Sequence, residues 1–301
     1  MENKGRVITI GTFDGVHIGH QKILKRLVKI SEKKDLEPTV LTFFPHPRMV
    51  LQKDTNIKLI NTIDEKAEIM KSLGIKNLTV KQFTKEFSRL TALEFVRDIL
   101  VNELNIKHII VGYDHRFGRN RTANIEDLKS FGDTFDFEVE EITAQDINDV
   151  TVSSTKIRTA LLEGDFKTAN NYLGYNFMLT GTVVSGKGLG KTLDYPTANI
   201  NIKEAYKLIP RQGVYVIRTG IEDKTVFGMM NIGMNPTVKG KEQSIEVHFF
   251  DFNSDIYGEE LKIALLHRIR EEQKFESLKA LKIQLQKDEQ TSKAFIENYA
   301  Q

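Results

Sequence analysis

Over the first half of the chain, short apolar runs alternate with amphipathic helical periods; from about residue 176 that texture gives way to apolar and polar residues in strict alternation. Residues 7–10, 39–44, 78–80, 108–112 and 135–142 read as strands. Between them, Ile23, Leu24, Leu27, Val28 and Ile30 share one helical face. Thr62-Ile63-Asp64-Glu65 and Thr91-Ala92-Leu93-Glu94 have the form of capping boxes, the first with Gly74 placed to stop its helix. Strand and helix in turn require crossover connections, so the spacing predicts an α/β domain with a parallel sheet covered on both faces. Ligands of such sheets bind beyond the carboxyl ends of the strands. A helix opening at Ser153 or Ser154 and ending near Gly164, then a short one to Leu173-Gly174, complete this half, assigned to residues 1–174.

Residues 175–301 follow a period of two over 178–184, 214–218, 226–232, 245–252 and 261–269. This predicts an antiparallel sheet closed into a small β-barrel. A helical tail over 277–299 follows, with Leu278, Leu281, Ile283 and Leu285 as its apolar positions.

Composition changes this picture little. A chain of 301 residues has room for two cores. The formal charge of +2 marks neither a general nucleic-acid binder nor a membrane-surface binder. Zero cysteines exclude a disulfide scaffold and fit a reducing compartment. Met1-Glu2-Asn3-Lys4 leads into a strand without the apolar segment of a signal peptide, and no run is long enough to span a bilayer, so the expectation is a soluble, cytoplasmic protein.

The densest chemistry lies in Gly11-Thr12-Phe13-Asp14-Gly15-Val16-His17-Ile18-Gly19-His20, directly after the first strand. Gly11, Gly15 and Gly19 permit close backbone approach to a ligand, and the helix that follows offers free N–H groups and the positive end of its dipole. His17 and His20, three apart, can face one triphosphate and neutralise charge in a phosphoryl or nucleotidyl transfer. A chance pair and half of a metal site are the competing readings. A tight zinc site is disfavoured, since cysteine and the H-E-x-x-H pattern are both missing.

Two loops at equivalent strand ends, Phe44-Pro45-His46-Pro47 and Gly112-Tyr113-Asp114-His115-Arg116-Phe117-Gly118, are placed to line the same crevice; a rigid proline turn competes for the first and a polar surface loop for the second. In Ser153-Ser154-Thr155-Lys156-Ile157-Arg158, basic groups in a first helical turn oppose the dipole, an arrangement that a bound anion relieves. The competing reading makes the serines an ordinary N-cap.

Ser185-Gly186-Lys187-Gly188-Leu189-Gly190-Lys191-Thr192 nearly matches a P-loop, but Ser185 stands at the first glycine and Pro196 follows closely where a helix should run. A glycine-rich flap over phosphates, with Gly186, Gly188 and Lys191 in contact, is the remaining reading. Thr197 and Asn199, two apart in Pro196-Thr197-Ala198-Asn199, are hard oxygen donors suited to Mg2+ that bridges nucleotide phosphates; a plain turn entering a strand competes. Glu246, alternating with apolar neighbours, is either a general base facing a cleft or part of a solvated strand face.

Together these residues resemble the prokaryotic bifunctional riboflavin kinase and FAD synthetase family over nearly the whole chain. GTFDGVHIGH, FFPHPR, GYDHRFG and SSTKIR resemble its FMN adenylyltransferase module; PTANI, GVY, NIGMNPTV, IEVHFFDF, IYGEEL and IREEQKF resemble its flavokinase barrel. Ten motifs in one order make the resemblance specific. It implies a Rossmann-like nucleotidyltransferase domain ahead of the barrel, and two reactions: riboflavin and ATP to FMN and ADP, then FMN and ATP to FAD and pyrophosphate. It further implies that His17 and His20 contact ATP phosphates beside Gly11, Asp14 and Gly19, with Ser154, Thr155 and Arg158 holding the triphosphate. Pro45, Asp114, Arg116 and Arg270 would lie near flavin, Thr197 and Asn199 would organise Mg2+ and ATP, and Glu246 would activate the ribityl hydroxyl.

Three residues depart from the family pattern. Asp194 precedes Tyr195 where glycine is usual, Lys191 replaces a common arginine, and Asp114-His115 replaces aspartate-phenylalanine. Asp194 motivates an alternative in which only FAD synthesis turns over and the barrel merely binds flavin. A non-catalytic flavin-sensing module is the other alternative.

Overall fold

A central strand buried at all but its first residue sets the first of two compact units, Met1–Ser154 and Thr155–Gln301, into which the computed structural model divides. Residues 4–52, 56–112, 115–143, 152–186, 189–237 and 240–299 are described. In the first unit β1 (Arg6–Ile10), β2 (Glu37–Phe44), β3 (Asn77–Gln82), β4 (Ile106–Gly112) and β5 (Glu138–Ile142) form one parallel sheet in the order β3-β2-β1-β4-β5. The sheet order reverses between β1 and β4, which is where the loop after β1 emerges.

The crossover helices are α1 (Ile18–Lys34), α2 (Pro47–Leu51), α3 (Ile63–Ser72), α4 (Ala92–Glu94) and α5 (Ile125–Phe135). Successive strand residues feed opposite faces, as the pleat demands. Ile8, Ile10 and Leu41 pack with Phe95, Val96 and Leu100, whereas Val7, Val40 and Ile110 pack with Leu24, Leu27 and Ile30 of α1 and Met70 of α3.

Both capping boxes form, at Thr62 with Glu65 and at Thr91 with Glu94, and Gly74 takes φ +89° just past α3. Two local expectations differ. Phe135 ends α5 rather than opening a strand, because Asp136 closes that helix in the left-handed conformation at φ 57°. After α4 the chain continues as a π-helix over Phe95–Glu103, with Leu104 N bonded to Ile99 O at 3.0 Å; the wider turn keeps Phe95, Val96 and Leu100 all buried.

The second unit contains α6 (Ser154–Glu163) beyond its opening serine, α7 (Phe166–Leu173), and the strands β6 (Met178–Val184), β7 (Ala198–Asn201), β8 (Gly213–Ile221), β9 (Lys224–Thr237), β10 (Gly240–Phe249) and β11 (Glu260–Arg270). These strands close antiparallel in the order β10-β7-β6-β11-β8-β9. Glu222 and Asp223, at φ 50° and 61°, make the tight β8–β9 turn in the mirror-image geometry that a right-twisted hairpin requires.

By contacts the chain divides between Ser154 and Thr155, ahead of the boundary expected between 174 and 175. The reason is packing: α7 lies on the barrel, with Phe166 edge-on to Tyr215 at 5.0 Å and Asn170 bonded to Leu265 O at 3.2 Å and to Phe177 N at 2.8 Å.

The tail forms α8 (Leu278–Tyr299), but its buried side is not the expected apolar set. Leu278 and Ile283 are exposed, while Asp288 and Ser292 are the buried residues, at 1% and 0% exposure. Leu281, Leu285, Asp288, Ser292 and Ile296 recur at helical spacing, so the stripe facing the barrel carries two polar members. Among the described residues no helix is long and apolar enough to cross a membrane.

Candidate functional site

At the end of β1 the chain enters a loop under backbone strain. Phe13, Gly15 and Val16 have φ of 45°, 84° and 34°, a region unfavourable for the two residues that carry a Cβ. Such a shape persists only where its surroundings hold it. Gly11 N bonds to Leu41 O at 3.1 Å; Lys66 Nζ and Thr42 Oγ1 donate to Thr12 O at 2.7 and 3.3 Å. Ile60 N donates to Asp14 Oδ1 at 2.9 Å, Ser154 Oγ to Asp14 O at 2.8 Å, and Gln21 Nε2 to Val16 O at 2.9 Å. Phe13 and Val16 are buried, so the strain is offset by apolar packing as well.

This loop delivers His17 as the N-cap of α1. Its Nδ1 accepts from His20 N at 3.3 Å, which leaves the ring proton of the neutral form on Nε2, where it can donate. Burial pushes the His17 pKa down to about 4 against the pull of Asp14. His20 is lowered well below its ordinary value by burial first, then by His17 and Lys66. The two rings stack 3.6 Å apart, an arrangement suited to neutral imidazoles, and His20 Nδ1 is buried with no hydrogen-bond partner. The pair therefore offers neutral donors to an anion, beside a helix N-terminus with no acidic residue in its first turn.

Gly11, Asp14, His17, Gly19, His20 and Ser154 are brought together here. Asp14 is 2% exposed and its carboxylate is turned to the Ile60 amide, so it shapes the loop. Thr155, exposed, and Arg158, half-buried, continue α6 in the second unit. Pro45 follows β2, and exposed Arg116 follows β4; both strand ends lie on the edge of the sheet where the loop emerges. Asp114 lies outside the described residues. Lys66, on α3, was missed: it is 3% exposed, and burial lowers its pKa to about 8 against the opposing pull of Asp14.

In the second unit a cavity of about 270 Å³ is lined by Tyr195, Thr197, Glu246, His248, Arg270 and Asp288, among others. Glu246 lies directly opposite Asn199 in the β10–β7 register, so the two side chains share a face. His248 Nδ1 sits 2.8 Å from Pro196 O and ties β10 to the turn that carries Thr197.

The glycine-rich segment lies against these groups. A Cβ on Gly186 would fall 1.9 Å from Asn199 Nδ2, and one on Gly190 would fall 2.1 Å from Tyr195 O and 3.2 Å from Thr197 Oγ1. The segment is a 3-10 turn over Leu189–Leu193 that opens no α-helix, in keeping with the rejection of a P-loop. Lys191 is exposed on that turn, and Gly188 lies outside the described residues.

Among the described residues no three His, Cys, Asp or Glu side chains converge on a metal position. A cation here would take the oxygens of Thr197 and Asn199 beside Glu246. So sparse and hard a donor set fits Mg2+, which keeps most of its waters and leans on phosphate.

The C-terminal helix walls this cavity through charge. Arg270 Nε lies 2.9 and 3.0 Å from the two Asp288 carboxylate oxygens and Nη2 lies 2.7 Å from Oδ2; Gln284 Nε2 adds a fourth contact at 2.9 Å. Tyr195 OH donates to Glu289 at 2.7 Å. Hydrogen bonding and burial raise the Tyr195 pKa to about 12, with burial the larger cause. Asp194 has φ 66°, which explains why glycine suits this position, and its carboxylate meets Lys282 Nζ at 2.5 Å.

A parallel-sheet unit with an H-x-G-H loop at a helix N-terminus, followed by a closed barrel whose cavity holds Thr197 and Glu246, is the architecture of a transferase with a site in each unit. Comparison with known proteins agrees, unit by unit. Residues 1–156 match the FAD synthetase family and residues 173–296 the riboflavin kinase family. The chain belongs to the bifunctional riboflavin kinase/FMN adenylyltransferase family.

The protein of that name from Listeria monocytogenes is 40% identical over 293 residues, covering 97% of this chain and 92% of the relative. The Bacillus subtilis protein is 36% identical over 306 residues, covering 99% and 94%. A solved Streptococcus pneumoniae structure, described as that of a macrolide-efflux protein, shares 35% identity at a TM-score of 0.86 and covers 96% of this chain and 94% of its own. That description stays with the pneumococcal protein.

Proposed function

We propose that this chain converts riboflavin to FAD in two ATP-consuming steps, phosphorylating riboflavin in the barrel and adenylylating FMN at the loop after β1. The observation that carries the reading is the match of each family to the unit holding the corresponding chemistry. We assign adenylyl transfer to residues 1–174 and riboflavin phosphorylation to residues 175–301.

In the first site, the α1 N-terminus and the neutral His17 and His20 rings bind the triphosphate. Ser154, bonded to the loop, is followed on α6 by Thr155 and Arg158, which add donors to the same anion. Gly11 and Gly19 give the phosphates room. Pro45, Asp114 and Arg116 contact the flavin. As FMN oxygen attacks the α-phosphorus, these donors stabilise the charge that leaves with pyrophosphate, so no covalent intermediate on the protein is needed.

In the second site, Glu246 takes the proton from the terminal ribityl hydroxyl as that oxygen attacks the γ-phosphorus of ATP. Thr197 and Asn199 would hold Mg2+, which supplies charge neutralisation to the phosphates when bound. Gly186, Gly188 and Lys191 cover the phosphates, and Arg270 lies beside the flavin. The Asp194 carboxylate is paired with Lys282 at the surface of the barrel. The substrates are thus ATP, riboflavin and FMN, without nucleic acid or membrane, and the location is cytoplasmic.

Incubation with riboflavin, ATP and Mg2+, with products separated by chromatography, is expected to yield FMN first and FAD second. FMN formation without FAD, even from added FMN, would overturn the assignment of the first site; FAD from FMN but none from riboflavin would overturn that of the second.

A further inference from the structure

Lys66 has no part in the roles assigned above, yet it is a lysine held almost out of solvent beneath the phosphate loop. Burying an ammonium is unfavourable unless something inside uses it, and a methionine could fill a similar space without that penalty. Its Nζ lies 2.7 Å from Thr12 O, and Thr42 Oγ1 shares that carbonyl at 3.3 Å. Thr12 immediately precedes Phe13, the first of the two residues strained at positive φ. The charged or titratable groups acting on this region are Asp14 from the loop and His17 and His20 from α1.

Resting on the reading of the first site as an adenylyl-transfer centre, we propose that Lys66 is a positioning residue for that reaction. Its ammonium fixes the Thr12 carbonyl and so holds the loop in the strained form that aims the α1 N-terminus, His17 and His20 at the triphosphate. Lys66 acts through the backbone and through its field, without touching the reacting atoms. The field works in two ways. It offsets the buried Asp14 carboxylate, which would otherwise repel phosphate, and it disfavours protonation of His20.

The test compares wild type, Lys66→Met and Lys66→Arg as full-length chains, measuring FAD formation from FMN and ATP with kcat and KM separated. Riboflavin phosphorylation by the same chains reports on the other site. K66M is expected to lose about 100-fold in kcat, the scale of a misplaced reacting group. KM for FMN and riboflavin phosphorylation should stay within about twofold. K66R should recover at least a tenth of wild-type kcat.

The pH profile separates positioning from space-filling. Wild type should lose FAD synthesis above about pH 8, where Lys66 gives up its proton, and K66R should shift that limb upward because arginine stays charged. If K66M does not fold, the K66R limb decides alone. A K66M enzyme with wild-type kcat, or a K66R enzyme with an unmoved alkaline limb, would overturn the proposal. Wild type that makes no FAD would overturn the functional reading with it, whereas active wild type with indifferent variants would overturn only the role of Lys66.

Discussion

Replacing Asp288 by alanine removes the carboxylate that anchors Arg270 to the C-terminal helix. The Asp288 and Arg270 side chains are 1% and 15% exposed, so water can replace only a small part of the lost contacts. Three guanidinium contacts of 2.7 to 3.0 Å and the Gln284 amide lose their acceptor, leaving Arg270 with Glu271 O at 2.8 Å and the Phe275 ring at 5.8 Å. Stranding one partner of a buried pair costs about 3–5 kcal/mol, and because Arg270 keeps some access to solvent we expect about 3 kcal/mol. At about 2–4 °C per kcal/mol, the transition that abolishes riboflavin phosphorylation should fall by roughly 6–12 °C, while that of FAD synthesis should not move. Thermal melts of the whole chain, with both activities assayed on heated and recooled samples, read this directly. Adding Arg270→Met should recover part of the loss, because two apolar groups leave no orphaned charge. A melt within about 1 °C of wild type, or a double variant no more stable than D288A, would refute the account of α8 as an ionically held wall.

Three further outcomes follow from the same contacts. Glu246→Gln should lower riboflavin phosphorylation by roughly 10²–10⁴ and leave FAD formation from FMN unchanged; equal loss of both activities would count against a base confined to the barrel. His17 has a folded pKa of about 4 and an unfolded one near 6.5, so the unfolded chain takes up its proton first: stability is whole above pH 6.5 and declines towards pH 4 by about 3 kcal/mol from this group. Denaturant midpoints should therefore fall less steeply with acid in His17→Asn than in wild type, and parallel curves would contradict the buried neutral ring. Asp194→Gly should change the KM for ATP in the barrel by less than about twofold, since it exchanges an exposed ion pair with Lys282 for a residue at ease with φ 66°; a large gain in turnover would restore the poorly catalytic barrel.

The strands and helix starts were legible because each has a local cause. The buried run at β1 marks a strand covered on both faces, and the threonine caps with glutamate three residues on are written in adjacent residues. His17, His20, Thr197 and Glu246 were legible for a related reason, lying at turns and on alternating strands. Lys66 and Asp288 were not. Each sits in an amphipathic helix, where a charged residue reads as the solvated side, and only the partner beneath it, Thr12 O or Arg270, shows otherwise. The same blindness made Leu278 and Ile283 look like core. Register within a helix carries no local signal either, so the π-helical turn at Phe95–Glu103 is visible only in its packing.

The placement of α8 also has a consequence for the order in which activities arise during synthesis. Leu281, Leu285 and Asp288 line the cavity of the barrel, yet they follow every strand of that barrel in the chain. A ribosome adding about 5–20 residues per second completes the first unit on the order of ten seconds before it delivers this wall. A nascent chain can therefore hold a finished loop after β1 while its barrel is still open on one side. Truncation ahead of Asp288 should reproduce that intermediate permanently, a protein able to adenylylate FMN supplied to it and unable to make its own.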